Sequence, residues 1–130
     1  MSRLTRTLLA ALLILGLAAC TTRNLYAPIQ ALPPGREYSQ VELQHAIVSA
    51  LEARQWEVRQ VSQSQVLAQI TVRGRHHAEI AIDYSPAEFQ IRYLSSSGLD
   101  YEDGKIHRNY NRWIKKLRND ILQQLHTNSG

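Results

Sequence analysis

The sequence predicts an α+β fold: a two-layer sandwich in which a four-stranded antiparallel meander carries two helices on one face, in the order α-β-β-β-β-α. Three observations lead there. Two stretches, one starting near residue 40 and one near residue 105, place apolar residues at helical spacing. Between them lie four strand-like stretches joined by short polar turns, three of which alternate apolar and polar residues with period two, the pattern of antiparallel strands with one wet face. Such a sheet needs its apolar face covered, and two amphipathic helices supply the cover. The chain has 130 residues, one Cys and a net charge of +4. That is one small domain, with no room for a two-domain dinucleotide enzyme and no Cys set for a disulfide framework or a multi-Cys zinc site.

The first element is an address. Arg3 and Arg6 precede an apolar run from Thr7 to Ala19. The run is well short of the roughly 20 residues that span a bilayer, so it reads as a secretory signal over residues 1–19. Its end, Leu17-Ala18-Ala19-Cys20, resembles the lipobox of bacterial lipoproteins. That resemblance implies cleavage between Ala19 and Cys20, a diacylglyceryl group on the Cys20 thiol, and an acyl chain such as palmitate on the new amine. Three acyl chains exceed what lasting membrane attachment needs. By the sorting rule of that family, Thr21 after the Cys implies the outer membrane, facing the periplasm, rather than the inner membrane. Cleavage removes two of the 15 basic residues and leaves 13 against 11 acidic. That balance is no nucleic-acid signature.

Residues 20–38 follow as the lipidated Cys and a tether, because Pro28, Pro33, Pro34 and Gly35 interrupt any helix or ladder. Eighteen such residues reach at most about 60 Å. The alternative is that Leu25, Tyr26 and Ile29 dock on the domain as an added strand. The α+β domain covers residues 39–126. Ser39 and Glu42 form a capping box that opens a helix over residues 40–55, with Leu43, Ile47, Ala50 and Leu51 on one face and Val41 and Val48 widening it. Trp56 to Val61 has strand character. Val66, Ala68, Ile70 and Val72 alternate with polar neighbours, as do Ala78, Ile80, Ile82 and Tyr84, and then Phe89, Ile91 and Tyr93. Ser95 to Gly104 is a long polar loop. The second helix is expected from Lys105 to about Leu125, burying Ile106, Tyr110, Trp113, Leu117 and Ile121, with the polar ends of Tyr110 and Trp113 at the rim. Residues 127–130 are expected as a frayed tail.

The segment Lys105-Ile106-His107-Arg108-Asn109-Tyr110-Asn111-Arg112-Trp113-Ile114 resembles a family of small proteobacterial lipoproteins. Its members share a lipobox, a proline-bearing tether, a helix ending near a Trp, alternating strands and a KIHxNYNxWI-like helix. The resemblance covers nearly the whole chain. It implies an envelope location and this order of elements, and it implies no chemistry, because the family has no assigned activity.

Lys105, Arg108, Arg112, Lys115 and Lys116 line the side of the second helix opposite its apolar face, with Asn109 and Tyr101 nearby. One reading is a solvated face. The other is a binding surface for an acidic envelope protein, cell-wall carboxylates or phospholipid headgroups. Asn109 is expected to bond a loop around residues 95–97. Exposure of Leu67, Ala81 and Leu94 on the wet sheet face would suit an assembly role, in which that face or an edge strand pairs with another chain. The alternative of a metal site would use His77 and Glu79 with His107; Asp83 lies about 20 Å from His77 along one strand and cannot share the ion. The alternative of a hydrolase would draw a pair of carboxylates from Asp100, Glu102 and Asp103. No G-x-S-x-G, H-E-x-x-H or glycine-rich phosphate loop is present. The expectation is a non-enzymatic periplasmic binding module, with no cofactor or metal besides the lipid on Cys20.

Overall fold

The computed structural model describes residues 21–127. The signal, the Ala19–Cys20 junction, Cys20 itself and residues 128–130 of the tail lie outside the described residues. The elements in chain order are β1 (Thr22–Asn24), β2 (Ile29–Ala31), α1 (Gln40–Ala53), β3 (Glu57–Val61), β4 (Gln65–Val72), β5 (His76–Tyr84), β6 (Glu88–Ser97), β7 (Lys105–His107) and α2 (Arg108–Thr127).

α1 starts where its capping box requires. The Ser39 hydroxyl accepts the Glu42 amide at 3.1 Å, and the Glu42 carboxylate accepts the Ser39 amide in return. Arg36 pairs with the same carboxylate. The helix ends at Ala53 and not at Gln55, because Gln55 turns left-handed (φ 66°). The amides of Gln55 and Trp56 then reach back to the carbonyls of Glu52 and Leu51, at 3.0 and 2.9 Å. This satisfies the orphan carbonyls and drops Trp56 into the core.

The main sheet has five strands, not four, in the order β2-β6-β5-β4-β3, and every pairing is antiparallel. The expected meander forms its four consecutive strands. The fifth, β2, comes from the stretch read as a tether and pairs Ile29–Ala31 with Glu88–Gln90. A second, two-stranded ladder joins β1 to β7. Three-residue strands beside prolines are too short for a period-two pattern to register in sequence.

Alternation decides the faces. Val66, Ala68, Ile70, Ala78, Ile80, Ile82, Tyr84, Phe89 and Ile91 point to one side and form a single core cluster with Leu43, Ile47 and Leu51 of α1 and Tyr110, Ile114, Leu117, Ile121 and Leu125 of α2. Both helices therefore cover the same face, at about 1.5 to 3 kcal/mol per fully buried large side chain. The opposite face carries cross-strand polar pairs. Gln69 donates to Glu57 at 3.0 Å, Ser95 to Glu79 at 2.6 Å, and Gln65 and Arg92 to Asp83 at 2.8 and 3.0 Å.

The region from Ser95 to Lys105 departs most from expectation. β6 runs on to Ser97, so the loop shrinks to residues 98–104. Asp103 and Gly104, both left-handed (φ 51° and 74°), make a tight hairpin closed by two 2.9 Å bonds between Glu102 and Lys105. Lys105–His107 then pairs as β7, and α2 begins only at Arg108. Gly98 lies against the β4–β5 turn: a Cβ there would stand 1.9 Å from the Arg75 carbonyl oxygen.

Candidate anion-binding groove

Two flanks of α2 leave its apolar seam on opposite sides. Residues 109, 112, 113, 116 and 120 share one flank and residues 111, 115, 118 and 122 the other, as a period of 3.6 dictates.

The first flank faces the β4–β5 turn. There a hollow of about 250 Å³ is lined by Arg73 from the turn, His76 at the start of β5, Asn109, Arg112 and Lys116 from α2, and Val72 and Trp113 at its apolar part. A second hollow of about 190 Å³ shares Val72, Trp113 and Lys116 and extends to Arg54, Gln55 and Trp56. Together they form one groove whose lining contains no carboxylate. Arg54 is already neutralised: its guanidinium donates to Asp120 at 2.5 and 3.3 Å, which holds its pKa above the ordinary value. Arg73, Arg112 and Lys116 are exposed, and among the described residues none of the ion pairs involves them. Trp113 is half-buried between the groove and the core.

His76 is fixed in this wall. Its Nδ1 lies 2.8 Å from the Gly98 carbonyl oxygen, and its ring stands 6.2 Å from that of His107. His107 Nδ1 in turn accepts the Asn109 amide at 3.1 Å, satisfying one of the open donors at the start of α2. The arrangement is suited to an anion carried on an apolar body: cations on two walls, an amide beside them, and an indole ring to stack on.

The expected surface is divided by the fold. Asn109, Arg112 and Lys116 come together in the groove. Lys115 lies on the other flank, 5.9 Å from the Tyr26 ring. Arg108 sits at the start of α2, and Lys105 is on a strand, not a helix. Tyr101 stacks on Tyr93 (4.5 Å, 28°), which meets Tyr110 edge-on (5.7 Å). The expected bond from Asn109 to residues 95–97 is not made: Ser95 bonds Glu79, and Ser96 lies 2.8 Å from the Tyr93 hydroxyl. Tyr110 does not reach the rim. Its hydroxyl is buried without a partner among the described residues, and burial pushes its pKa far above the usual phenol range.

The other hypotheses find little geometric support. His77 bonds Thr71 at 2.9 Å and lies 3.7 Å from Glu79 on the outer sheet face, while His107 pairs with His76 on the helix side. Among the described residues no three metal-ligating side chains gather. Asp100 and Asp103 occupy left-handed turn positions, which Asp tolerates. On the outer sheet face Ala81 is fully covered by its neighbours and Leu67 half-covered, leaving Leu94 as the exposed part of that strip (42%).

Sequence reasoning missed Arg73 and Trp113 as groove residues. The basic Arg73-Gly74-Arg75-His76 turn was a local signal. Which helix flank meets that turn is a tertiary fact. No protein-family model matches this chain, and no curated protein matches it either.

Proposed function

We propose that this chain is a non-enzymatic lipoprotein of the bacterial envelope, anchored by acyl chains on Cys20 in the outer membrane and facing the periplasm, whose domain binds an anionic partner in the groove beside α2. The lipobox-like Leu17-Ala18-Ala19-Cys20 after a short apolar run supports the anchor, as does the resemblance of residues 105–114 to small lipoproteins. The convergence of Arg73, Arg112 and Lys116 on Val72 and Trp113, with no carboxylate in the lining, carries the binding reading. A merely solvated face does not need cations from two separate elements around one aromatic floor.

Two measurements test it. Intact mass of the protein extracted from cells should show a chain starting at Cys20 with acyl mass; a chain still starting at Met1 ends the anchor. A photo-crosslinking residue at Asn109 should capture an anionic envelope component in cells. Charge reversal of Arg73, Arg112 and Lys116 together should lower that capture about tenfold or more while leaving stability within about 0.5 kcal/mol. Capture unaffected by the reversal removes the groove from the proposal.

A further inference from the structure

The segment expected to be a long tether leaves no slack at its membrane end. Thr21 accepts the Arg108 amide at 2.9 Å through its carbonyl. β1 then pairs Thr22 with His107, Arg23 with Ile106 and Asn24 with Lys105. The Leu25 amide donates to Gly104 at 2.8 Å. Asn111 closes over the segment: its Oδ1 accepts the Tyr26 amide at 2.9 Å, and its Nδ2 donates to the Asn24 carbonyl at 2.8 Å. Arg118 donates to the Tyr26 hydroxyl.

Position 20 is therefore one peptide unit, about 3.8 Å between Cα atoms, from a residue bonded to the first residue of α2. A freely extended tether would allow the domain to wander tens of ångströms from its anchor. A leash of one residue does not. From Thr21, β1 and α2 both lead away from the anchor, and the acidic tip of the β1-side hairpin, Glu102 and Asp103, lies beyond Lys105 at the far end of that ladder. The anchor end itself presents Arg23 and Arg108, both exposed, and the first turn of α2 contains no acid. Cations at that end would lie opposite the headgroup phosphates of an anionic surface.

We propose that docking of residues 21–26 onto β7 and α2 makes a short, pinned leash that holds the Arg108 end of the domain against the bilayer carrying it, with Arg23 and Arg108 on the phospholipid headgroups. This rests on lipidation of Cys20 as proposed above. It places Asn109 and Arg112, the groove residues on the first two turns of α2, within about 10 Å of the Arg108 end along the helix.

The test uses the full lipidated protein in vesicles of phosphatidylcholine with phosphatidylglycerol. Cys20 is the chain's one Cys and carries the lipid, so a Cys introduced as Asn24→Cys or Gln123→Cys takes a fluorophore alone. Asn24 lies beside Asn111, which donates to its carbonyl, and Gln123 lies about 18 Å further along α2. Quenching by headgroup-labelled lipid is expected to be at least about twofold stronger at Asn24→Cys than at Gln123→Cys, given that separation. Inserting a ten-residue Gly-Ser stretch between Thr21 and Thr22 should bring the two toward equality, because such a linker is a flexible coil. Equal quenching without the insertion overturns the proposal. A difference that persists with the insertion also overturns it, by assigning orientation to surface charge alone. Protein that lacks acyl mass and shows quenching at neither position fails on the lipid anchor, and the leash falls with it.

Discussion

On one flank of α2, Asn111, Lys115 and Arg118 close on the backbone and ring of residues 24–26; on the other, Asn109, Arg112 and Lys116 line an open groove with Arg73 and His76. Each flank is an asparagine followed by two cations at helical spacing, so the sequence pattern does not tell them apart. The first set satisfies polar groups of its own chain: the Tyr26 amide and the Asn24 carbonyl bond Asn111, and the Tyr26 ring and hydroxyl receive the cations. The second finds no such segment, and its cations stay unpaired among the described residues. A stripe of charge on a helix is thus a set of unassigned donors. Which of them become structural depends on what the rest of the chain lays across them.

Both flanks hang on the apolar seam between them, so the largest effect should come from Leu117, which is fully buried there. Leu117→Ala is expected to cost about 3 kcal/mol in urea unfolding and to loosen both flanks together. If only one flank loosens, the two do not share a core.

Gly98→Ala should act on the groove side. The position has φ 73°, and its Cβ would collide with the Arg75 backbone at 1.9 Å, so the β4–β5 turn must shift. A loss of about 2–3 kcal/mol is expected. Hydrogen exchange should quicken in residues 73–76 while the Tyr26 amide keeps its protection.

Asn111→Ala is the converse. It leaves a half-buried Tyr26 amide and an Asn24 carbonyl without their partner, at about 1–2 kcal/mol. Exchange at Tyr26 should quicken, and residues 73–76 should be unchanged. If Gly98→Ala and Asn111→Ala give the same exchange pattern, the flanks are one cooperative unit, and the comparison between them collapses.

The smallest effect is a pH dependence that belongs to neither flank. On the outer sheet face, the hydrogen bond from Ser95, with a lesser contribution from His77, holds the Glu79 carboxyl below its ordinary value against mild desolvation; Gln69 and Arg59 do the same for Glu57. A carboxyl whose folded pKa is depressed stabilises the protein above its unfolded pKa. That stabilisation is lost as pH falls through the ordinary carboxylate range near 4.5 and below. Glu79→Gln should therefore flatten the decline of the urea midpoint between about pH 5 and 3. Exchange at both α2 flanks should be unmoved by the substitution.

Much of the fold was legible because its causes are local. Ser39 and Glu42 lie three residues apart, so the start of α1 is written in one tetrapeptide. The alternation of Val66 to Tyr84 names the inward face without reference to any neighbour. The β7 hairpin also had a local signal, Asp103-Gly104, but the polar run around it read as loop and the helical spacing of the following residues masked the three-residue strand. The docking of Leu25 and Tyr26 stood only as an alternative, because three-residue strands between prolines leave no periodic trace. Asn109, Arg112 and Lys116 were legible only as part of one stripe with Lys105, Arg108 and Lys115, which the fold divides. Arg73 and Trp113 were not legible as groove residues, since one reads as turn punctuation and the other as core.

By itself, the sequence determined the order of the helices and central strands, the capped start of α1 and most of the core, because hydrophobic periodicity and capping act within a few residues, though it put Tyr38 in the tether, Leu99 in a loop and the exposed Val41 on the apolar face. Only the tertiary structure decided that residues 22–31 join both sheets, that α2 has one engaged flank and one open one, and that Thr21 is bonded to Arg108. These outcomes rest on contacts such as Asn111 with Tyr26, 85 residues apart. Local pattern carries no information about which distant segment will satisfy a given polar group.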